Sequence, residues 1–161
     1  MKTKIRLRQA RQEDCRRLWL WRNEKEVRNV SFNTKKIPYT AHKEWFARKL
    51  ASAETRILIG ENKSGNPIGQ IRLDLMKSGT SEVNILVKKS VRNQGFGKDF
   101  LHGACQYSFR RLKLKRILAH IRLDNPRSIA LFQKVGFKKK KKVLACGHDA
   151  LLMEMKRCKP S

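Results

Sequence analysis

Arg92-Asn93-Gln94-Gly95-Phe96-Gly97-Lys98 stands between an apolar run, Val83 to Val87, and an amphipathic segment that begins near Lys98. The juxtaposition reads as strand, glycine loop and helix start. Two glycines two positions apart permit positive φ and leave no side chain in the way of a ligand. The first turn of a helix carries N–H groups without intrahelical partners, so the stretch has the makings of an anion site suited to phosphate. A helix dipole contributes only about 0.3–1 kcal/mol there, so the flanking charges of Arg92 and Lys98 matter. The third glycine of a dinucleotide fingerprint is absent. On these residues alone an ordinary turn fits equally well.

Upstream of the loop, three strands read as a meander. Arg56 to Gly60 is continuously apolar, as a strand covered on both faces would be. Ile68 to Leu75 alternates, with Ile71, Leu73 and Leu75 opposite Gln70, Arg72 and Asp74. Glu82 to Val87 alternates likewise. Lys63-Ser64-Gly65-Asn66-Pro67 and Lys77-Ser78-Gly79-Thr80 are the turns between them. Further upstream, a strand is predicted over 3–9, helices over 12–23 and 25–30, a loop over 31–39, and a helix capped by Thr40 and running to Leu50.

Downstream, Phe100, Leu101, Ala104, Cys105, Phe109 and Leu112 trace one helix face. Ile117 to Leu123 alternates as a strand, with Leu118, His120 and Arg122 sharing one side. Asn125-Pro126 opens a helix that ends at Gly136. Val143–Cys146 and Ala150–Met155 close the chain as a hairpin across Gly147-His148-Asp149. The order is β, α, α, βββ, α, β, α, ββ. It predicts an α/β fold with a mixed sheet, helices on both faces, and a parallel pair around the loop helix. No linker or repeat divides residues 1–161, so one domain is expected.

With 40% hydrophobic residues the 161-residue chain is globular in composition. No apolar run is long enough for a membrane span, and Met1 to Ile5 lacks the pattern of a signal peptide. Cys15, Cys105, Cys146 and Cys158 have no metal-ligand spacing, so no metal is expected and the thiols read as reduced and cytoplasmic. The formal charge is +26. It predicts attraction to polyanions such as nucleic acid, the ribosome or phosphorylated small molecules, or simply a solvated basic surface. The Lys138–Lys142 run reads as a twisted exposed strand whose lysines protect a sheet edge.

Arginine, two residues, glycine, one residue, glycine resembles the acetyl-CoA pyrophosphate loop of the GNAT superfamily of N-acetyltransferases. A second block, from Asn125-Pro126-Arg127-Ser128 through Leu131-Phe132 to Gly136-Phe137, is similar to another block of that superfamily at the matching separation. Trp21-Arg22-Asn23, Val27-Arg28, Ile37, His42 with Trp45-Phe46, and Ile68-Gly69-Gln70-Ile71-Arg72 resemble the subgroup acting on UDP-linked 4-amino-sugars in pseudaminic-acid-type pathways. The resemblance implies a GNAT-like, mostly antiparallel twisted sheet of about seven strands, with acetyl-CoA as donor and the 4-amino group of a nucleotide-linked deoxy-aminosugar as acceptor.

It also implies site residues. Backbone groups of Ile85, Leu86 and Val87 would meet the pantetheine arm in a gap between two diverging strands. Arg92 and the amides of Asn93, Gln94, Gly95, Phe96, Gly97 and Lys98 would hold the pyrophosphate. Asn125 and Ser128 would bond the pantetheine, although Asn125 also serves as a plain helix cap. His120 is the candidate base, with a purely structural histidine as the other reading and Glu82 or Asn84 as rivals. Many relatives carry a tyrosine acid where this chain has Phe132, so no acid is assigned. Arg22, Asn23, Arg28, His42 and Trp45 are the acceptor candidates, since arginines suit a diphosphate and Trp45 suits stacking; Trp45 at helical spacing also fits a core. Two other functions stay open: a protein N-terminal acetyltransferase docking on the ribosome, and a nucleic-acid-binding module. The latter is weakened by the lack of a base-stacking strand motif. An exposed strand near the C-terminus suits a homodimer.

Overall fold

The computed structural model describes residues 5–159. Its strands are β1 (Arg6–Gln9), β2 (Thr55–Glu61), β3 (Pro67–Met76), β4 (Thr80–Val87), β5 (Arg116–Arg122), β6 (Lys138–Ala145) and β7 (His148–Lys156). Its helices are α1 (Cys15–Arg22), α2 (Lys25–Asn29), α3 (Tyr39–Ala51), α4 (Phe96–Arg110) and α5 (Pro126–Val135). The seven strands form one sheet in the order β1-β2-β3-β4-β5-β7-β6. Every neighbouring pair is antiparallel except β4 and β5. The expected α/β architecture, mostly antiparallel with a parallel pair at the loop helix, is the one observed. Thr3 and Lys4 of the expected first strand lie outside the described residues.

Side-chain alternation along β2 explains both layers. Ile57 and Ile59 pack with Leu18, Trp21, Phe46 and Leu86 under α1 and α3. Leu58 packs on the opposite face with Ile71, Leu73, Val83, Phe100 and Leu101 under α4 and α5. Successive strand residues point to opposite faces, so the consecutive apolar residues Ile57, Leu58 and Ile59 bury both faces of β2. Gly60 and Gly69 are cross-strand partners. A Cβ would come within 2.7 Å of the Phe100 ring at Gly60 and 2.8 Å at Gly69. The bare backbone there lets fully buried Phe100 seat α4 against the sheet, a burial contributing roughly 1.5–3 kcal/mol.

Three boundaries differ from the sequence reading. The helix expected over 12–23 begins as a 3-10 turn, Gln12–Asp14, before α1. Asp14 accepts the Arg11 N–H at 2.8 Å, which tightens that turn. Thr40 lies inside α3; Pro38 is the residue before the helix, and its carbonyl accepts the first bond, from His42 N–H. The last strand pair is longer than expected and starts at Lys138, because the lysine run pairs with β7 through a bulge between Lys139 and Lys141. Its turn is Cys146-Gly147, with φ of 49° and 76°, a two-residue hairpin turn that needs positive φ at both positions. Among the described residues no helix is long and apolar enough to cross a membrane.

Candidate active site

β4 and β5 run together only briefly. Thr80, Ser81 and Glu82 pair with Arg116, Ile117 and Leu118, and no pairing continues beyond them. β4 stays paired with β3 out to Val87. The parallel strands therefore part and leave β4 with an open backbone edge. The Lys88 N–H bonds the Ile68 carbonyl on the β3 side at 2.8 Å. Antiparallel alternation then sends the backbone of Leu86 and Asn84 toward β3, and that of Val83, Ile85 and Val87 into the gap. Ile85, Leu86 and Val87 all line the cleft, but only Ile85 and Val87 turn their backbone groups into the gap; Leu86 differs. Its backbone serves the sheet and its side chain serves the α1–α3 core. The Val87 carbonyl is already engaged, by Arg92 Nε at 2.8 Å.

The gap opens into a cleft of about 1060 Å³. At one end is the glycine loop. Gly95 caps α4 with φ 83°, a left-handed shape that glycine adopts without strain. The first bond from the helix back to the loop runs from Asp99 N–H to the Gly95 carbonyl at 3.4 Å. The N–H groups of Phe96, Gly97 and Lys98 precede it and are the ones helix geometry leaves for a ligand. Nothing lies within 4 Å of where a Gly95 Cβ would sit. A diphosphate fits this bare, electropositive turn. Asn93, Gly95, Gly97 and Lys98 line the cleft, whereas Gln94 and Phe96 do not. The Gln94 side chain turns back to the Ser90 carbonyl at 3.0 Å.

Arg92 lines the cleft but is braced rather than free. Besides Val87 it holds Glu24 Oε2 at 2.9 Å. Opposite the loop, Asn125 and Ser128 line the cleft at the start of α5, and Asn125 Oδ1 accepts the Ser128 N–H at 3.3 Å, so the cap is real. Arg127, missed in the sequence, bonds the Asn93 side chain and ties the glycine loop to the start of α5.

His120 stands where the strands separate. Its Nδ1 lies 2.8 Å from Glu82 Oε1, across the end of the β4–β5 pairing. A carboxylate at Nδ1 fixes the tautomer with the proton on that nitrogen and leaves the Nε2 lone pair to accept another. Glu82 and His120, rivals in the sequence, form one unit. Phe132 is buried edge-on against Phe137, with ring centroids 4.8 Å apart, and offers no proton.

At the other end of the cleft the acceptor candidates divide. Arg22, His42 and Trp45 line it; Asn23 and Arg28 do not. Asn23 clamps the loop that follows α2, donating to the Ile37 carbonyl at 2.9 Å and accepting its N–H at 2.8 Å. Arg28 donates to the Asn23 carbonyl at 3.1 Å and the Thr34 carbonyl at 3.2 Å. Both brace loop backbone here, and neither lines the cleft. Their polar groups reach backbone partners that spacing along the chain does not reveal. His42 is buried, and its Nε2 lies 3.1 Å from the Cys15 carbonyl. Burial pushes its pKa down from the usual 6.5, so a neutral ring donates from Nε2 to that carbonyl. Trp45 receives the Arg72 guanidinium 5.5 Å from its ring centroid. Arg22 donates from Nη2 to the Asn33 carbonyl at 3.0 Å, and its Nη1 is buried with no partner among the described residues. Burial, then repulsion from Arg72 and Arg28, pulls the Arg22 pKa down. Arg72 and Gln70 are cleft residues the sequence reading missed. Alternation identified their sheet face but not that this face looks into the cleft.

Residues 4–138 match the acetyltransferase (GNAT) domain. The spermidine N(1)-acetyltransferase of Vibrio cholerae is 22% identical over 139 residues, 85% of this chain and 80% of that protein. An uncharacterized protein of Methanocaldococcus jannaschii is 26% identical over 144 residues, 87% of this chain but only 29% of that protein. Among solved structures, the Vibrio cholerae spermidine N-acetyltransferase in complex with CoA and spermine superposes with a TM-score of 0.86 at 20% identity, covering 94% of this chain and 95% of that one. The chain belongs to the GNAT acetyltransferase family and is an N-acetyltransferase that takes its acetyl group from acetyl-CoA.

Proposed function

We propose that the acceptor is a primary amine on a small anionic molecule, of the kind a nucleotide-linked amino sugar represents. The observation that supports this is the unpartnered Nη1 of Arg22, buried in the cleft with Arg72 also lining it. A buried guanidinium nitrogen without an acceptor is costly, and a phosphate oxygen satisfies it with a charge-assisted bond. Trp45 lines the same part of the cleft and holds the Arg72 guanidinium over its ring, which positions that charge for an anion.

Acetyl-CoA supplies the activated thioester. The glycine-loop amides and Lys98 hold its diphosphate, and the open edge of Ile85 and Val87, with Asn125 and Ser128, lines the path of its arm. A backbone N–H on that edge stabilises charge growing on the carbonyl oxygen. His120 Nε2 takes the proton from the attacking amine while Glu82 holds the ring. The C–N bond forms, the C–S bond breaks and the thiolate leaves without a proton from Phe132. The exposed thiols Cys146 and Cys158 are free and suit a reducing cytoplasm.

A polyamine acceptor is the second reading, favoured by the substrate named for the Vibrio cholerae relative. Against it stands charge: a polycation entering this cleft meets Arg22 and Arg72 in a chain of net charge +26. Acetyl-CoA turnover measured separately with a UDP-linked 4-amino-sugar and with spermidine tests the choice. Turnover with spermidine alone overturns the anionic reading.

A further inference from the structure

The sheet has a second basic region that acetyl transfer does not use. β6 is an edge strand, and all five of Lys138–Lys142 are exposed. Lysines on an edge guard against strand addition, which accounts for β6 alone. The charge does not stop there. Arg116 of β5 pairs directly with Lys156 of β7, and the Arg157 N–H bonds the Lys115 carbonyl at 2.8 Å. Like charges directly opposite on neighbouring strands destabilise a sheet.

One carboxylate serves the whole corner. Glu154 is buried, with Arg116 at 3.4 Å, Lys156 at 3.7 Å and Lys140 at 3.8 Å from its oxygens. Between Asp99 and Asp149 the only acidic residue is Asp124, which is bonded to Arg122. The family match ends at residue 138, so Lys139–Lys142 lie outside it. None of Lys138–Lys142, Arg116 or Lys156 lines the cleft.

We propose that this corner, from Arg116 across Lys156 to Lys138–Lys142, is a docking surface for the phosphate backbone of a nucleic acid. Successive strand side chains point to opposite faces, so same-face lysines of β6 stand about 6.6 Å apart, two residues of about 3.3 Å each, apart from the bulge between Lys139 and Lys141. A nucleic-acid strand carries one negative charge per phosphate along its length. A linear polyanion matches a linear array of cations, and its counterions are released on binding.

The test uses the full chain and a labelled single-stranded RNA of mixed sequence. Binding is followed by fluorescence anisotropy over a range of salt. Wild type should bind at physiological salt, with log K falling steeply against log salt. Combining Lys138→Gln, Lys140→Gln and Lys141→Gln should flatten that slope by roughly 0.7 for each phosphate no longer neutralised. Acetyl-CoA turnover and melting temperature should stay near wild type. The control variant Lys35→Gln/Lys36→Gln, which removes two charges at an exposed site elsewhere, should leave the slope unchanged. An unchanged slope in the triple variant, equal flattening in the control, or failure of the wild type to bind RNA at physiological salt would each overturn the proposal. So would binding to anionic phospholipid vesicles but not to RNA.

Discussion

The two ends of the cleft are built from different materials. The end proposed for the coenzyme is mostly backbone: a glycine in left-handed conformation, the first N–H groups of α4, the open edge of β4 and the cap of α5. The end proposed for the acceptor is mostly side chain: Arg22, Trp45, Arg72 and a loop held by Asn23. Backbone chemistry is written locally, in glycines and caps. Side-chain chemistry depends on which distant residues meet. The first end tolerates many side chains and few changes of shape; the second should respond to single side-chain truncations.

The largest expected effect lies between the ends. His120→Ala should lower kcat by about 10²–10⁴-fold, the usual contribution of a positioned base. Glu82→Gln should lower kcat less, since it loosens the ring without deleting it. Steady-state kinetics checks both. Arg22→Met should raise the acceptor KM by about ten- to a hundred-fold, matching the roughly 1.5–3 kcal/mol of a hydrogen bond to a charged group, and leave acetyl-CoA affinity alone. Calorimetry with each substrate separates the two.

Gly95→Val should do the reverse. At φ 83° a β-branched residue is strained by about 1–3 kcal/mol, so acetyl-CoA binding should weaken by about tenfold while the acceptor KM holds. Equal losses for both substrates in either variant would break the division of the cleft. Asn23→Ala should act more mildly, destabilising the loop by about 1–2 kcal/mol, visible as a lower melting temperature and a raised acceptor KM.

The smallest effects are in pH. Burial lowers the His42 pKa below 6.5. The neutral folded form is therefore favoured, and stability falls as pH drops below that value. Asp14 follows at lower pH. Burial alone would raise its carboxyl, but Arg8 and the Arg11 N–H, with Arg17, outweigh burial and hold it below 3.8. Its contribution is complete above that pKa and is lost as pH falls through the lowered value. Chemical denaturation at stepped pH should show the two declines in that order, and His42→Gln should remove the first.

Legibility in the sequence followed the same division. The sheet, the parallel pair and both layers could be read from alternation in β2, β3 and β4 and from the helical faces of α4 and α5. The glycine loop and the Asn125 cap were legible because their geometry is set within a few residues. The brace from Arg92 to Glu24 was not, because those residues are 68 apart in the chain. The Glu82–His120 pair was not, because 38 residues separate its members and nothing local shows where two parallel strands stop pairing. Asn23 and Arg28 carried the right chemistry for a substrate and spend it on loop carbonyls. Arg72 was assigned its face correctly but had no role until Trp45 and Arg22 were placed beside it.

The central claim is acetyl transfer to an amine carried on an anion. Release of free CoA from acetyl-CoA tests it most directly, with a UDP-linked 4-amino-sugar, spermidine and a ribosomal-protein N-terminal peptide in parallel reactions. Release is expected with the nucleotide sugar and with neither of the others. Release with spermidine or the peptide alone would contradict it.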